Sequence, residues 1–175
     1  MSKVSRAGVR SLLAFCLLPL ISCAREDAPR PESVHRGAYQ ANILEMTHRN
    51  DAFRRVLFTG ARTQMVVMSI PPGGDIGEET HGRVEQILFC ASGSGQVVLD
   101  GKRSPFGPGD VVVVTPGTRH NFLNTGTAPL EIYTIYAPPN HLHGRVQATK
   151  ADAEADVEDQ ALGRRVEAVG ADVEP

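Results

Sequence analysis

Residues 73–93 read Gly73-Gly74-Asp75-Ile76-Gly77-Glu78-Glu79-Thr80-His81-Gly82-Arg83-Val84-Glu85-Gln86-Ile87-Leu88-Phe89-Cys90-Ala91-Ser92-Gly93, and the spacing within them sets both the fold and its chemistry. Glu79 and His81 stand two apart, so on extended backbone their side chains project to one face. Gln86 has the wrong parity to join that face on an uninterrupted strand. A turn must intervene, and Gly82 sits where the chain could reverse and bring Gln86 back beside His81. Farther on, Thr115-Pro116-Gly117-Thr118 is a tight turn that opens a second single-face set, His120, Phe122 and Asn124.

Outward from these stretches the chain continues as short β-type runs. Strands are expected over residues 54–58, 65–70, 85–89, 96–99, 111–114, 119–123 and 131–136, separated by turn signals, the pattern of an all-β barrel or sandwich. Asp100-Gly101 predicts a two-residue hairpin, because such a turn needs positive φ. Pro71-Pro72-Gly73-Gly74, Ser92-Gly93-Ser94-Gly95 and residues 105–109 mark further connections. No long amphipathic helix precedes residue 147.

In full, the chain has 175 residues, 41% apolar and 22% charged, with a formal charge of −2, which is one domain's worth of globular protein. The balanced charge and absence of Trp argue against a nucleic-acid partner. There is no Ser-His-Asp set, no phosphate-cradling glycine loop and no CxxC pair. Gly93-Ser94-Gly95 lacks the following helix that a dinucleotide loop requires.

The N-terminus reads as an address. Lys3, Arg6 and Arg10 precede an apolar run from Leu12 to Ile21 that is too short to span a bilayer, the layout of an export signal over residues 1–22. Its end, Leu20-Ile21-Ser22-Cys23, resembles the lipobox of bacterial lipoproteins, which implies cleavage before Cys23, acylation of that cysteine and attachment to a membrane facing the periplasm or outer surface. A secretory signal cut elsewhere is the alternative. Residues 23–37 then form a tether, and 38–147 the barrel domain. Loss of residues 1–22 would remove three positive charges and leave −5, all of it carried by residues 148–175. Cys90 would lack a partner in such a chain and is expected to be a buried, inert thiol.

The acidic tail from 148 to 175 is Ala-rich, and Thr149 could cap a short helix over residues 151–158. Its apolar residues are too sparse to bury a helix firmly, so a frayed or partly disordered end is expected.

With these residues in place, the chain resembles the cupin superfamily. The motif G-x5-H-x-H-x3-4-E-x6-G matches Gly73, Glu79, His81, Gln86 and Gly93, and G-x5-P-x-G-x2-H-x3-N matches Gly109, Thr115, Gly117, His120 and Asn124. Residues 50–150 resemble a small single-domain subgroup of largely unassigned role. Three positions depart from the pattern: Glu79 replaces the first histidine, Gln86 the glutamate, and Thr115 the proline, with Pro116 one place later.

The resemblance implies a single-domain jelly-roll β-barrel and a divalent metal held by Glu79, His81 and His120, with Gln86 as an optional fourth donor. Two imidazoles and a carboxylate suit Fe(II), Mn(II), Ni(II) or Zn(II) and leave open positions. The implied partner is a small polar molecule, on which oxygenase, isomerase or decarboxylase chemistry, or simple capture, could act; barrels of this type also pair into homodimers through edge strands. Glu79 and His81 could instead form a hydrogen-bonded pair without metal, and many cupins bind sugars. Glu78 and Glu85, of opposite parity, are expected outward. His35 and His48 are expected at the surface; His141 and His143 could approach a pocket rim, although an H-x-H pair alone is a weak metal signal; Gln64, Tyr133 and Tyr136 are pocket-wall candidates, although a strand tyrosine is more often core packing.

Overall fold

The computed structural model describes residues 37–169; the export signal, Cys23, His35 and nearly all of the tether lie outside them, as do residues 170–175. In chain order the elements are α1 (Ile43–His48), β1 (Arg54–Thr59), β2 (Gln64–Ile70), β3 (Glu85–Ser92), β4 (Gly95–Leu99), β5 (Lys102–Phe106), β6 (Val111–Val114), β7 (His120–Asn124), β8 (Leu130–Ala137), β9 (Val146–Gln147), α2 (Lys150–Ala155) and α3 (Val157–Ala168).

Two antiparallel sheets share one core. The larger runs β6-β3-β8-β2-β1-β9 and the smaller β5-β4-β7. Alternation decides which side chains enter: along β8 Leu130, Ile132, Thr134 and Tyr136 are buried, and along β3 Gln86, Leu88 and Cys90, while the residues between them are half-buried. Met68, Leu88 and Ile132 from the larger sheet meet Val97, Phe106 and Phe122 from the smaller. Edge-to-face packing of Phe106 on Phe122, with centroids 5.0 Å apart, fills the space between the layers. This is the expected all-β jelly roll.

Local chemistry explains the connections. Asp100 and Gly101 both adopt positive φ, 47° and 81°, and close the β4–β5 hairpin. Gly93 has φ 88°, and a Cβ there would lie 2.4 Å from the carbonyl oxygen of Pro129, so no other residue fits. The seven expected strands are present with ends shifted by at most three residues. β5, the second arm of the hairpin that Asp100-Gly101 predicts, runs on through Pro105 into the stretch read as a connection; the proline is tolerated because β5 is the edge of its sheet. The short α1 also goes beyond expectation; Asn42 caps it by accepting from the Glu45 N–H at 3.2 Å.

The described part of the tail is helical, as expected in part, but it is packed firmly where a frayed end was expected. Thr149 does cap a helix, in a reciprocal capping box with Asp152, but α2 ends at Ala155 and a second helix, α3, follows. Leu162 and Val166 are buried in the barrel core at 2% and 1% exposure, each contributing roughly 1.5–3 kcal/mol of burial. The buried stripe is Asp159, Leu162 and Val166. One of its three members is an acid, so a count of apolar residues could not reveal the stripe. Asp159 is satisfied by partners far away in sequence: it accepts from the Leu142 N–H at 2.7 Å and pairs with His141 Nδ1 at 2.7 Å.

Among the described residues Cys90 is the free cysteine. It is buried, its thiol donates to the Ser92 carbonyl at 3.4 Å, and burial together with Asp110 and Glu131 pushes it up to about 11, as an inert thiol requires. No helix among the described residues is long and apolar enough to cross a membrane.

Candidate metal centre

Glu79 and His120 exchange both backbone hydrogen bonds, each at 2.9 Å, as directly opposed residues of an antiparallel pair. Their side chains therefore leave on the same side. His81 stands two residues beyond Glu79, and its carbonyl accepts from the Gly117 N–H at 2.7 Å, which ties it to the turn preceding β7. Gly117 makes that turn with φ 86°. Two remote stretches thus deliver their ligand-type side chains to one place.

One oxygen of Glu79, Oε2, lies 3.3 Å from His81 Nε2 and 3.8 Å from His120 Nε2, and one ligand atom from each residue falls within 4.8 Å of the others. Ligands about 2.0–2.2 Å from a common cation stand roughly 3.0–3.6 Å apart, so the set is close to coordinating geometry. Both rings are oriented from behind. His120 Nδ1 faces the Thr118 carbonyl at 3.0 Å; a carbonyl only accepts, so the neutral ring keeps its proton on Nδ1 and offers Nε2 as the ligand atom. Nε2 is buried and has no hydrogen-bond partner. His81 Nδ1 faces Glu167 Oε1 at 3.2 Å.

Gln86 enters from the larger sheet, cross-strand from Tyr136 on one side and Val114 on the other. It is 1% exposed, and neither amide atom is hydrogen-bonded. An unpaired buried amide costs about 1–3 kcal/mol or more. Such costs are rarely carried without a functional reason.

Electrostatics within the cluster are mutual. Burial pushes the Glu79 carboxyl up, but the hydrogen bond with His81 and the charges of Arg54, His81 and His120 outweigh it and hold it below the usual carboxylate range. Burial lowers His81, and the hydrogen bonds and charges of Glu79 and Glu167 more than reverse this. An imidazolium at His81 is thus the proton's version of a cation between two carboxylates.

Beside the cluster is a cavity of about 230 Å³ beneath α2 and α3, whose wall includes Glu79, Arg54, Ile76, Asn140 and His141. His141, a candidate for a pocket rim, is buried in this wall and hydrogen-bonded to Asp159. Burial and the Arg54 charge depress its basicity, against the opposing pull of Asp159. Tyr136 is buried with its ring edge-on to His141 at 5.0 Å, and burial raises its hydroxyl above the ordinary range.

The other candidates separate from the cluster. Gln64 is fully buried in a closed hydrogen-bond set. Tyr133 stacks on Phe89 with centroids 4.7 Å apart. His48 is half-exposed and pairs with Glu131 at 2.6 Å. Glu78 is exposed and lies 3.9 Å from Arg119; Glu85 is half-buried at the start of β3. Sequence reasoning missed Glu167, because nothing local marks an acid 86 residues downstream as a neighbour of His81.

Comparison with known proteins agrees with this architecture. The cupin-domain family profile matches residues 66–136. The uncharacterized protein YrkC of Bacillus subtilis is 38% identical over 150 residues, covering 71% of this chain and 81% of its own length. The crystal structure of BH2720 from Bacillus halodurans is 41% identical with a TM-score of 0.66, covering 67% of this chain and 93% of that one. The uncharacterized protein L612 of Acanthamoeba polyphaga mimivirus is 32% identical over 117 residues, covering 64% of this chain and 72% of its own. With the two motifs folded into one cluster inside a two-sheet barrel, this chain belongs to the cupin superfamily.

Proposed function

We propose that this protein is an exported, lipid-anchored cupin that holds one divalent cation through Glu79, His81 and His120, with Gln86 as fourth donor, and takes a small polar molecule in the adjoining cavity. The observation that carries the reading is the convergence of ligand atoms of Glu79, His81 and His120 within 4.8 Å of one another, with His120 Nε2 buried and making no hydrogen bond; the Gln86 amide is likewise buried without one. A hydrogen-bonded Glu79–His81 pair would account for His81 alone. It leaves His120 Nε2 and the Gln86 amide buried without a hydrogen bond, which favours a cation over the metal-free alternative.

A bound Fe, Mn, Ni or Zn dication would supply Lewis acidity at open coordination positions. The chain's own residues do the rest. Thr118 and Glu167 orient the two imidazoles, and the barrel core excludes water behind them. The cavity volume is the space of about seven or eight waters, which limits the ligand to a small molecule. Oxygenase, isomerase or decarboxylase chemistry fits such a site, as does capture without turnover.

Elemental analysis of wild type against His81→Ala and His120→Ala tests the site. Near-stoichiometric metal in wild type and at least about 100-fold weaker binding in both variants is expected; equal occupancy in all three would overturn it. The anchor is tested separately by fatty-acid labelling, which Cys23→Ser should abolish.

A further inference from the structure

We propose that Glu167 is a positioning residue for His81, so that seating of α3 on the barrel and occupation of the cation site are thermodynamically linked; this rests on the metal-site reading above. The two imidazoles are held by different means. His120 is fixed by the Thr118 carbonyl, two residues away, a contact internal to one turn. His81 is fixed by a side chain from the far end of the chain.

The Glu167 contact is two-pointed. Oε1 faces His81 Nδ1 at 3.2 Å and Oε2 accepts from the Arg83 N–H at 3.1 Å. Glycine at residue 82 leaves this approach uncrowded, since a Cβ there would lie a tight 3.3 Å from Oε2. The helix carrying Glu167 is anchored through Leu162, Val166 and Asp159 rather than through the acid itself.

Removing the Glu167 carboxylate leaves Glu79 as the remaining acid against the His81 ring, and Glu79 faces Nε2. A neutral ring would then gain by placing its proton on Nε2, the atom a cation needs. With Glu167 present, the proton belongs on Nδ1 and Nε2 is free to ligate, while the negative acceptor strengthens the imidazole as a donor. His120 has no such dependence on the tail. Coupling is reciprocal: the factor by which a seated α3 tightens cation binding is the factor by which the cation tightens seating of α3.

The test uses the full chain with zinc(II) as probe cation, measuring affinity by competition with a chromophoric chelator and α3 amide hydrogen exchange with and without zinc. Glu167→Ala is expected to bind zinc about 10–100-fold more weakly than wild type. Glu167→Gln, whose amide oxygen can still accept from Nδ1, should lose less. Glu158→Ala removes an exposed acid of the same helix that pairs with Arg145, and should change nothing. Zinc should slow α3 exchange in wild type, and Glu167→Ala should diminish that slowing by the same factor as it weakens binding. Wild-type zinc affinity in both folded Glu167 variants, or α3 exchange indifferent to bound zinc, would overturn the proposal. Failure of the metal-site reading looks different: wild type would bind no zinc, or no more than His120→Ala.

Discussion

Two buried glutamines flank the same tyrosine. In the larger sheet Tyr136 of β8 stands cross-strand from Gln64 of β2 and from Gln86 of β3. They are equally buried, at 0% and 1% exposure. Gln64 donates to Thr59 Oγ1 at 2.8 Å and to the His141 carbonyl at 2.7 Å, and accepts from the Asn140 and His141 N–H groups at 3.2 and 3.0 Å. The Gln86 side chain makes no hydrogen bond. The same contrast divides β7, where the Asn124 side chain donates twice, to Ile70 and Ala128, and accepts from Gly126, while His120 at the other end keeps a buried Nε2 that makes no hydrogen bond. Burial alone does not distinguish a structural polar group from a functional one. Satisfaction does.

The largest expected effect lies on the satisfied side. Gln64→Ala leaves two N–H groups and a carbonyl at residues 140–141 unpaired, and should cost about 3 kcal/mol or more in urea denaturation. Metal content of the folded fraction should be unchanged. A loss under 1 kcal/mol would break the contrast.

Gln86→Leu should do the opposite. Replacing an unsatisfied amide by an apolar group of similar shape should leave metal-free stability unchanged or raise it by about 1 kcal/mol, while weakening cation binding. Marked destabilisation of the metal-free protein would show that Gln86 has structural partners after all.

The smallest effect concerns pH and the neighbouring His141. Its basicity is depressed in the folded state by burial and Arg54, so below about 6.5, its ordinary value, the unfolded chain binds the proton more readily. This contribution to stability is therefore present above that pH and lost as pH falls through it, with a slope of at most about 1.4 kcal/mol per pH unit. His141→Gln should flatten the decline between pH 7 and 5, as read from urea midpoints. An unchanged slope would show that the ring is not held neutral by its surroundings.

Much of the site was legible because it is local. Glu79 and His81 share a face by parity, Gly82 implied the break before Gln86, and Gly117 announced the turn that aims His120. Thr149 was readable as a cap for the same reason. Misreadings arose where a residue's partner is remote. The stripe on α3 includes Asp159, whose acid is satisfied by His141 and Leu142, so an apolar count undervalued the helix. Gln64 looked like a pocket-wall group because its four partners lie at Thr59 and at residues 140–141.

Strand periodicity, turn chemistry and residue spacing are properties of neighbouring residues, and the amino-acid order alone was enough to predict an all-β barrel in which Glu79, His81 and His120 come together. Which buried polar groups are saturated, that α3 packs Leu162 and Val166 into the barrel core, and that Glu167 stands behind His81 all depend on contacts between segments tens of residues apart. Those contacts are selected by packing and hydrogen-bond completion in three dimensions, and no local pattern encodes them.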